Sequence, residues 1–190
     1  MNPSVLTFVK GIKELKYKNI LILPNNSNII LTAEMAKNSV KDKNIFILPT
    51  KTIPQGLVAL YNINKEMVDF NNYKDLIVQD FKSISEGQIT KATRDTSLFG
   101  VHVKKDEYIA IYNNEKIIVS DWNIETVLRI LINKILDNPN LEILNIFYND
   151  RVDANMINEV MKEYKKSNKD IEINFKYGGQ NVYNFIVFGE

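Results

Sequence analysis

The sequence predicts a mixed α/β fold, with parallel βα units in the N-terminal half and an antiparallel patch in the middle. Three observations indicate this fold. A strand-like run recurs after 25 residues, amphipathic helices separate such runs, and several short alternating segments follow one another between residues 87 and 119. No stretch rich in Pro, Gly or Ser interrupts the 190 residues. We therefore expect one α/β domain over 1–190, which divides, if at all, into lobes 1–85 and 86–190.

The N-terminal half contains the clearest pattern. Apolar residues at helical spacing predict a first helix between Val5 and Leu15. The segments 18–24 and 43–49 then read Lys-Asn-Ile-Leu-Ile-Leu-Pro and Lys-Asn-Ile-Phe-Ile-Leu-Pro, with six of seven residues identical. An offset of 25 residues holds a strand, a crossover helix (predicted over 28–41) and the next strand, so the two strands should be parallel neighbours. Convergence of two buried strands on one composition explains the likeness as well as a repeat does, and predicts the same geometry.

The middle of the chain changes from helices to short strands. Pro54 suits the first turn of a helix, and a second helix should follow Asn64. The strands are predicted over 87–94, 101–103, 108–112 and 116–119, with Asn113 and Asn114 in a tight hairpin turn. The second helix has apolar residues at spacings of three and four: Met67, Phe70, Tyr73, Leu76, Ile77 and Phe81.

The C-terminal third returns to alternating helices and strands. A strong helix is predicted from Ile124 to Leu136 and a strand over 141–147. Asp153 suits the N-cap of a helix that runs to Lys166. The last two strands, predicted over 171–176 and 182–188, flank the segment Tyr-Gly-Gly-Gln at 177–180.

Composition excludes several classes of protein. The net charge of +1 argues against nucleic-acid binding, which usually carries a marked basic excess. With no Cys and one His, disulfides, Cys-type zinc sites and metal sites built on several histidines are excluded. No apolar run spans a bilayer, and charges at Lys10, Lys13 and Glu14 interrupt the only stretch that a signal peptide would need. We expect a cytoplasmic protein without a transmembrane segment. The excess of Asn, Ile and Lys indicates AT-rich codons and a low-GC bacterium.

Two polar loops follow the repeated strands and should lie side by side. Ligands of parallel sheets bind where the strands end, and both loops precede helices whose N-termini attract anions. Neither loop has the glycines of a P-loop. Simple helix capping explains the residue types as well as contact with a ligand or partner does. The candidates in these loops are Asn25, Asn26, Ser27, Asn28, Thr50, Lys51, Thr52 and Gln55.

Two further segments have unusual residues. Arg94, Asp95 and Thr96 end a predicted strand, and arginine is rare in this Lys-dominated chain. A local Arg–Asp ion pair and an interface contact both explain it. Paired glycines between strands indicate either a hairpin or close backbone approach, which makes candidates of Tyr177, Gly178, Gly179 and Gln180.

No residue pattern predicts catalysis. His102 stands between two valines, and no Ser or Asp pattern marks a partner for it, so an ordinary strand histidine is the simplest interpretation. No acyl-transfer triad, metal cluster or nucleotide loop is present in the sequence. We therefore predict no catalytic and no metal-binding residue in this chain, and a binding or assembly role.

Several sequence blocks occur in an order that resembles a known family. They are Asn2–Ser4, Ile22–Leu31, Leu48–Leu57, Gly87–Thr90, Ala92–Thr96 and Tyr177–Gln180. This series is similar to the C-terminal region of the ATP-binding subunit of fatty acid kinase, a dihydroxyacetone-kinase-like protein of low-GC Gram-positive bacteria and mollicutes. The block Pro-Thr-Lys-Thr-Ile-Pro-Gln-Gly is the most diagnostic. Asn181 departs from the family, which tends to have Pro after Gly-Gly-Gln.

The resemblance implies a fold, a partner and a division of labour. The fold is a DegV-like or dihydroxyacetone-kinase-like substrate domain. ATP and magnesium are expected only in an N-terminal helical domain of the whole kinase, and a middle domain is expected to make the parent a homodimer. The C-terminal domain engages a separate DegV-like subunit that binds the fatty acid, whose carboxylate is phosphorylated for phospholipid synthesis.

The first hypothesis is therefore a non-catalytic docking domain of an ATP-dependent acyl kinase. The alternative is a small-molecule-binding domain that itself holds a fatty acid or a dihydroxyacetone-like polyol. A third hypothesis is a self-sufficient enzyme that uses His102.

Overall fold

A computed structural model describes residues 2–63, 78–80, 84–98 and 100–190. The chain forms two compact units, Met1–Ser83 and Ile84–Glu190, whose boundary lies two residues from the expected lobe boundary. The helix predicted after Asn64 lies outside the described residues, except for 78–80. No helix in the described ranges is long and apolar enough to cross a membrane.

The first unit alternates helices and strands around a two-stranded parallel sheet. Asn19 pairs with Asn44 and Ile22 with Ile47, so every pair is separated by 25 residues. This register confirms the prediction that the two strands are parallel neighbours. The elements are α1 (Val5–Glu14), β1 (Asn19–Ile22), α2 (Ser27–Ser39), β2 (Asn44–Ile47) and α3 (Ile53–Asn62).

The core of this unit lies on one face of the sheet. Both α1 and α2 pack there, and they also pack on each other. Alanines on α2 allow the close approach, since larger side chains would force the helices apart. The buried members are Ile12, Ile20, Ala33, Ala36, Val40, Ile45 and Ile47.

The helices α1, α2 and α3 each begin at a polar side chain that satisfies a free backbone N–H. Ser4 Oγ accepts from the Thr7 N–H at 3.2 Å, and Asn26 Oδ1 accepts from the Asn28 N–H at 2.9 Å. Thr52 caps α3, which has Pro54 in its first turn as expected.

The second unit contains a six-stranded mixed sheet in the order β7-β6-β3-β10-β8-β9. Only β8 and β9 pair in parallel, and the other pairs are antiparallel. A separate hairpin joins β4 and β5. The elements are β3 (Ser85–Lys91), β4 (Thr96–Leu98), β5 (Val101–Val103), β6 (Tyr108–Tyr112), β7 (Lys116–Asp121), α4 (Ile124–Leu136), β8 (Ile143–Tyr148), α5 (Ala154–Ser167), β9 (Glu172–Tyr177) and β10 (Phe185–Gly189).

Two helices bury one face of this sheet. α4 contributes five fully buried apolar side chains, each worth about 1.5–3 kcal/mol on burial. Arg129 joins α4 to α5, with ion pairs of 2.9 Å to Glu125 and 2.8 Å to Glu163. Glu163 and Glu125 raise the pKa of the Arg129 guanidinium, although partial burial opposes them. The Tyr164 hydroxyl completes the link by donating to Asn133 Oδ1 at 2.9 Å.

The strand directions bring four carboxyl ends to one edge of the sheet. The strands β3, β7, β8 and β9 all point the same way, because β10 is antiparallel to β3 and β8, and β6 is antiparallel to β3 and β7. The residues after Lys91, Tyr148 and Tyr177 therefore leave the sheet at the same edge.

The predicted fold class is confirmed, with three local corrections. β3 ends at Lys91 instead of Arg94, because the Ala92 N–H donates to the Glu107 carbonyl at 2.8 Å and starts a loop. β4 was not predicted. The segment 177–180 is not a hairpin, because β8 lies between β9 and β10. The predicted hairpin turn is confirmed, with positive φ at Asn113 (49°) and Asn114 (55°).

Candidate functional site

The two polar loops of the first unit lie side by side, as the sequence predicts. The Asn25 N–H donates to Thr50 Oγ1 at 3.1 Å, and the Thr50 hydroxyl donates to Asn25 Oδ1 at 2.8 Å. Asn25 has φ of 55°, a left-handed conformation that Asn tolerates. Thr50 is fully buried. One hydroxyl therefore holds the ends of two neighbouring strands together.

The second loop is also fixed by its own side chains. Thr52 is 2% exposed, and its hydroxyl accepts from the Gln55 N–H at 3.3 Å. Gln55 Oε1 accepts from the Lys51 N–H at 2.8 Å. The arrangement is related to a capping box, but the Gln55 side chain accepts from the N–H of the residue before the N-cap. The helix-capping interpretation is confirmed for Asn26 and Thr52.

Gly56 makes room for the junction of the two loops. A Cβ atom at this position would overlap the Asn25 side-chain amide. The sequence analysis placed Gly56 within a family block but assigned it no role. Its signal was a glycine in a helix interior, where glycine costs about 1 kcal/mol relative to alanine and needs a packing reason.

The outward surface of the loops is polar and cationic. Ser27, Asn28 and the Lys51 side chain are exposed, and Ile53 beside them is 40% exposed. The N-termini of α2 and α3 both lie at this edge and add partial positive charge. We call the exposed residues Ser27, Asn28, Lys51 and Ile53 the loop edge.

The candidate segment 177–180 of the second unit lies at the shared carboxyl edge of the sheet. Asn149, which is 1% exposed, donates through Nδ2 to the carbonyls of Gln180 (3.3 Å) and Tyr183 (3.1 Å). The Gln180 Nε2 atom donates to the Phe147 carbonyl at 3.1 Å. The Gly178 N–H donates to the Tyr148 carbonyl at 2.9 Å. The two amide side chains thus bind the loop to the end of β8.

The paired glycines serve this junction. A Cβ atom at Gly178 would overlap Gln180 Oε1, and Gly179 has φ of 64°. The two glycines therefore serve different needs: Gly178 allows a close approach, and Gly179 adopts a positive φ. The Tyr177 side chain is 62% exposed and contacts the Tyr148 ring edge-on, with centroids 6.1 Å apart.

The end of β3 joins the same assembly. The Thr90 hydroxyl donates to the Val182 carbonyl at 3.2 Å, and the Asn184 N–H donates to the Ile89 carbonyl at 2.7 Å. The family block at 87–90 therefore contacts Val182 and Asn184, which follow the segment 177–180 in the chain. Asn149, which connects Gln180 and Tyr183 to the end of β8, was missed. Its signal was a polar residue directly after a strand that ends at this edge.

The Arg94 segment lies in the loop after β3. Asp95 Oδ1 accepts from the Lys105 N–H at 2.7 Å, and Thr96 begins β4. Within the described residues Arg94 forms no ion pair with Asp95, so the local-pair interpretation is wrong. The Arg94 side chain is exposed. His102 is also exposed, in β5 opposite Ser97, as an ordinary strand histidine should be.

A buried carboxylate closes the neighbouring turn. Glu107 Oε2 accepts from the Lys104 N–H at 2.8 Å and from the Ser120 hydroxyl at 2.7 Å. These two hydrogen bonds, the first the larger cause, hold the pKa of Glu107 below its ordinary value. Over the ranges that the structure describes, no three acidic, His or Cys side chains group as metal ligands would.

Comparison with protein families gives one match over the full chain. The model of the FakA-like C-terminal domain of fatty acid kinase matches residues 1–190. Among curated relatives, a Staphylococcus epidermidis protein is 34% identical over 185 residues, which cover 97% of this chain and 33% of that protein. A Staphylococcus aureus (strain USA300) protein is 34% identical over 189 residues, with the same coverage. The chain thus spans about a third of the length of these relatives.

Solved structures share the fold at low sequence identity. The Streptococcus pneumoniae fatty acid kinase B3 protein, loaded with linoleic acid, has a TM-score of 0.69 at 10% identity, covering 98% of this chain and 75% of that one. A DegV family protein from Eubacterium eligens, loaded with heptadecanoic acid, has a TM-score of 0.67 at 11% identity, covering 99% and 78%. These structures show a DegV-like fold. The match over residues 1–190 shows that the chain belongs to the family of FakA-like C-terminal domains of fatty acid kinase.

Proposed function

We propose that this domain is the docking module of a bacterial fatty acid kinase. It holds the separate, DegV-like fatty-acid-binding subunit so that the acyl carboxylate reaches the ATP-binding part of the longer protein. Membership of the FakA-like family supports this proposal, as does the length of the relatives, which are about three times as long as the region they share.

The observation that carries the proposal is the pre-organised loop edge. Thr50 and Asn25 are bonded to each other, and Gln55 is bonded to Lys51 and Thr52. The polar groups inside the loops are thus engaged with one another, while the loop edge points outward. A rigid surface loses little conformational entropy when a partner binds, which favours protein recognition.

The net charge of the N-terminal half predicts the sign of the charge on the partner surface. Residues 1–95 carry a net charge of +4, and residues 96–190 carry −3. Lys51 and the two helix N-termini concentrate positive potential at the loop edge. We expect an acidic surface on the fatty-acid-binding subunit, with Arg94 and Tyr177 as candidate contacts of the second unit.

The proposal assigns catalysis to another part of the parent protein. Phosphoryl transfer needs a metal-bound nucleotide aligned with its acceptor. ATP and magnesium accordingly belong to the N-terminal part of a longer, homodimeric cytoplasmic kinase. The present domain positions the fatty-acid-binding subunit.

Calorimetry with the purified fatty-acid-binding subunit tests the proposal. We expect binding at micromolar concentration, and about a tenfold weaker Kd for Lys51→Glu, because the substitution reverses the charge of the loop edge. Lys166→Glu, at an exposed position of α5, is the matched control and should leave Kd unchanged. Absence of heat from a domain that is folded by circular dichroism would reject docking, and equal losses in both variants would reject the loop edge as the contact.

One observation favours direct binding of a small molecule as a second function. Gln88 is 6% exposed, and its Oε1 atom accepts no hydrogen bond from the described residues. A buried acceptor of this kind is satisfied by a water or by a ligand that donates, such as a polyol or a protonated carboxyl group. Native mass spectrometry of protein purified from cells would show a bound ligand. Its loss in Gln88→Met would support this function, and a ligand-free spectrum would reject it.

A further inference from the structure

Strand β1 has a strand neighbour on one side only, within the residues that the structure describes. The Asn44 N–H donates to the Lys18 carbonyl at 2.8 Å, and the Leu48 N–H donates to the Ile22 carbonyl at 3.1 Å. In a parallel ladder alternate residues face the partner strand. The backbone groups of residues 18, 20 and 22 therefore face β2, and those of residues 19, 21 and 23 face outward.

The outer edge of β1 lacks most of the features that protect a free edge. The strand is short, but its four residues, Asn-Ile-Leu-Ile, contain no charge, proline or bulge. Native proteins place such features on free edges because an unpaired strand templates further pairing. An apolar edge without a charge, proline or bulge indicates that another strand covers it.

An apolar groove runs along this edge, between α1 and β1. Its volume is about 380 Å³. Gly11 widens it, since a Cβ atom at this position would meet no atom within 4 Å. The groove is lined chiefly by Pro3, Phe8, Gly11, Leu15, Leu21 and Leu23.

The handedness of the chain indicates which element fills the groove. Crossovers between parallel strands are nearly always right-handed, so successive crossovers with helices on the same face advance in the same direction. α1 and α2 lie on the same face and share one core. The unit β1–α2–β2 advances from β1 to β2. The crossover that contains α1 must therefore start from a strand on the opposite, open side of β1.

We infer that an additional strand pairs with the outer edge of β1 in parallel, and that the polypeptide preceding this domain in the longer kinase protein supplies it. The family model describes the C-terminal part of such proteins, and the curated relatives have about two-thirds of their length outside the matched region. Preceding chain in those proteins enters at the end of the groove marked by Pro3. This inference does not depend on the docking function.

Amide hydrogen exchange tests the inference, because an added strand should slow the exchange of every second amide of β1. The 190-residue chain is compared with a chain lengthened by about 50 residues, enough for one or two strand–crossover units, taken from directly upstream of the matched region in the S. epidermidis relative. In the lengthened chain the amides of Leu21 and Leu23 should exchange at least about tenfold more slowly. The amides of Ile20 and Ile22, already bonded to β2, should not change.

Substitutions in the groove sharpen the test. Gly11→Phe fills the groove and should abolish the added protection of Leu21, whereas Lys10→Phe, on an exposed position of the same helix, should not. Equal exchange in both chains, with a folded lengthened chain, would overturn the inference. Protection of Leu21 already present in the 190-residue chain would also overturn it. If that protection grows with concentration, the occupant is a second copy.

Discussion

The two polar loops of the first unit and the 177–180 segment of the second unit solve one structural problem in two ways. Each lies where parallel strands end, and each depends on a glycine whose missing Cβ leaves room for an amide side chain: Gly56 for Asn25, and Gly178 for Gln180. In the first unit the bond joins two side chains, Thr50 and Asn25. In the second unit, amide side chains bind backbone carbonyls.

This difference separates recognition from support. The Thr50–Asn25 pair fixes two loops and leaves their outer residues free to contact a partner. Asn149 instead holds the backbone that precedes β10, a strand buried along its whole length in the centre of the sheet. We therefore expect changes in the first unit to affect docking more than stability, and changes in the second to affect stability more than docking.

Asn149→Leu should have the largest effect on stability. Asn149 makes three hydrogen bonds, including one that its Oδ1 atom accepts from the Arg151 N–H at 3.1 Å. Leucine would leave the partly buried carbonyl groups of Gln180 and Tyr183 without these donors, which costs about 3 kcal/mol of unfolding free energy. Urea unfolding measures this loss. Asn155→Leu, at an exposed position of α5, is the control, expected within about 0.5 kcal/mol of the parent.

The docking affinity of Asn149→Leu should not change, in contrast to its stability. At a temperature where Asn149→Leu remains folded, its Kd for the fatty-acid-binding subunit should equal that of the parent. A weaker Kd in a folded protein would show that the 177–180 edge recognises the partner, and the separation of roles would fail.

Thr50→Val should have a smaller effect on stability and a measurable effect on docking. Valine keeps the shape of threonine but leaves the Asn25 N–H and Oδ1 unpaired, which costs about 1–3 kcal/mol. The freed loop should weaken docking by about tenfold, since the surface must then be ordered on binding. Thr50→Ser keeps the hydroxyl and should retain Kd. If Thr50→Val binds as tightly as the parent, loop order is irrelevant to docking.

The elements that were predicted well are those in which a sequence pattern extends over many residues. α4 was predicted to the residue, because Val127, Leu128, Leu131, Ile132 and Ile135 repeat at helical spacing and are all buried. The β1–β2 register was predicted because the repeat fixes its offset. β4 was missed because its three residues pair only with β5, and the exposed Ser97 and Leu98 leave no alternation to detect.

The candidate site was predicted only in part, because strand order is a tertiary property. The rule that parallel strands end together was enough to place Asn25 beside Thr50. The same rule did not identify Asn149, because the insertion of β10 between β3 and β8 is not visible in the order of elements. Glycine spacing alone likewise could not distinguish a hairpin from a close approach at Gly178.

A double-mutant cycle at Gly56 and Asn25 tests whether the missing Cβ of Gly56 makes room for the Asn25 side-chain amide. Gly56→Ala should destabilise by about 1–3 kcal/mol, because its Cβ overlaps the Asn25 amide. Asn25→Gly removes that amide and tolerates the positive φ. In the Asn25→Gly background, Gly56→Ala should stabilise by about 0.5–1 kcal/mol, since alanine is the better helix former. Additive effects of the two substitutions would show that Gly56 and the Asn25 side chain are not coupled in this way.

The smallest expected effect is a dependence of stability on pH. The hydrogen bonds compared above join neutral groups, which do not titrate in the acid range, whereas the Glu107 carboxylate does. Its pKa lies below the ordinary value of 4.5, with the Lys104 N–H as the largest cause and the Ser120 hydroxyl next. Its contribution is therefore complete above pH 4.5 and is lost as the pH falls through the lowered pKa. Ser120→Ala moves the pKa back towards 4.5, so the variant should be less stable than the parent at pH 7, and the difference should shrink as the pH falls below 4.5 and through the lowered pKa. Urea unfolding at several pH values measures this. A difference that is constant with pH would assign the Ser120 bond to packing alone, whereas the Thr50→Val difference should stay constant over the same range.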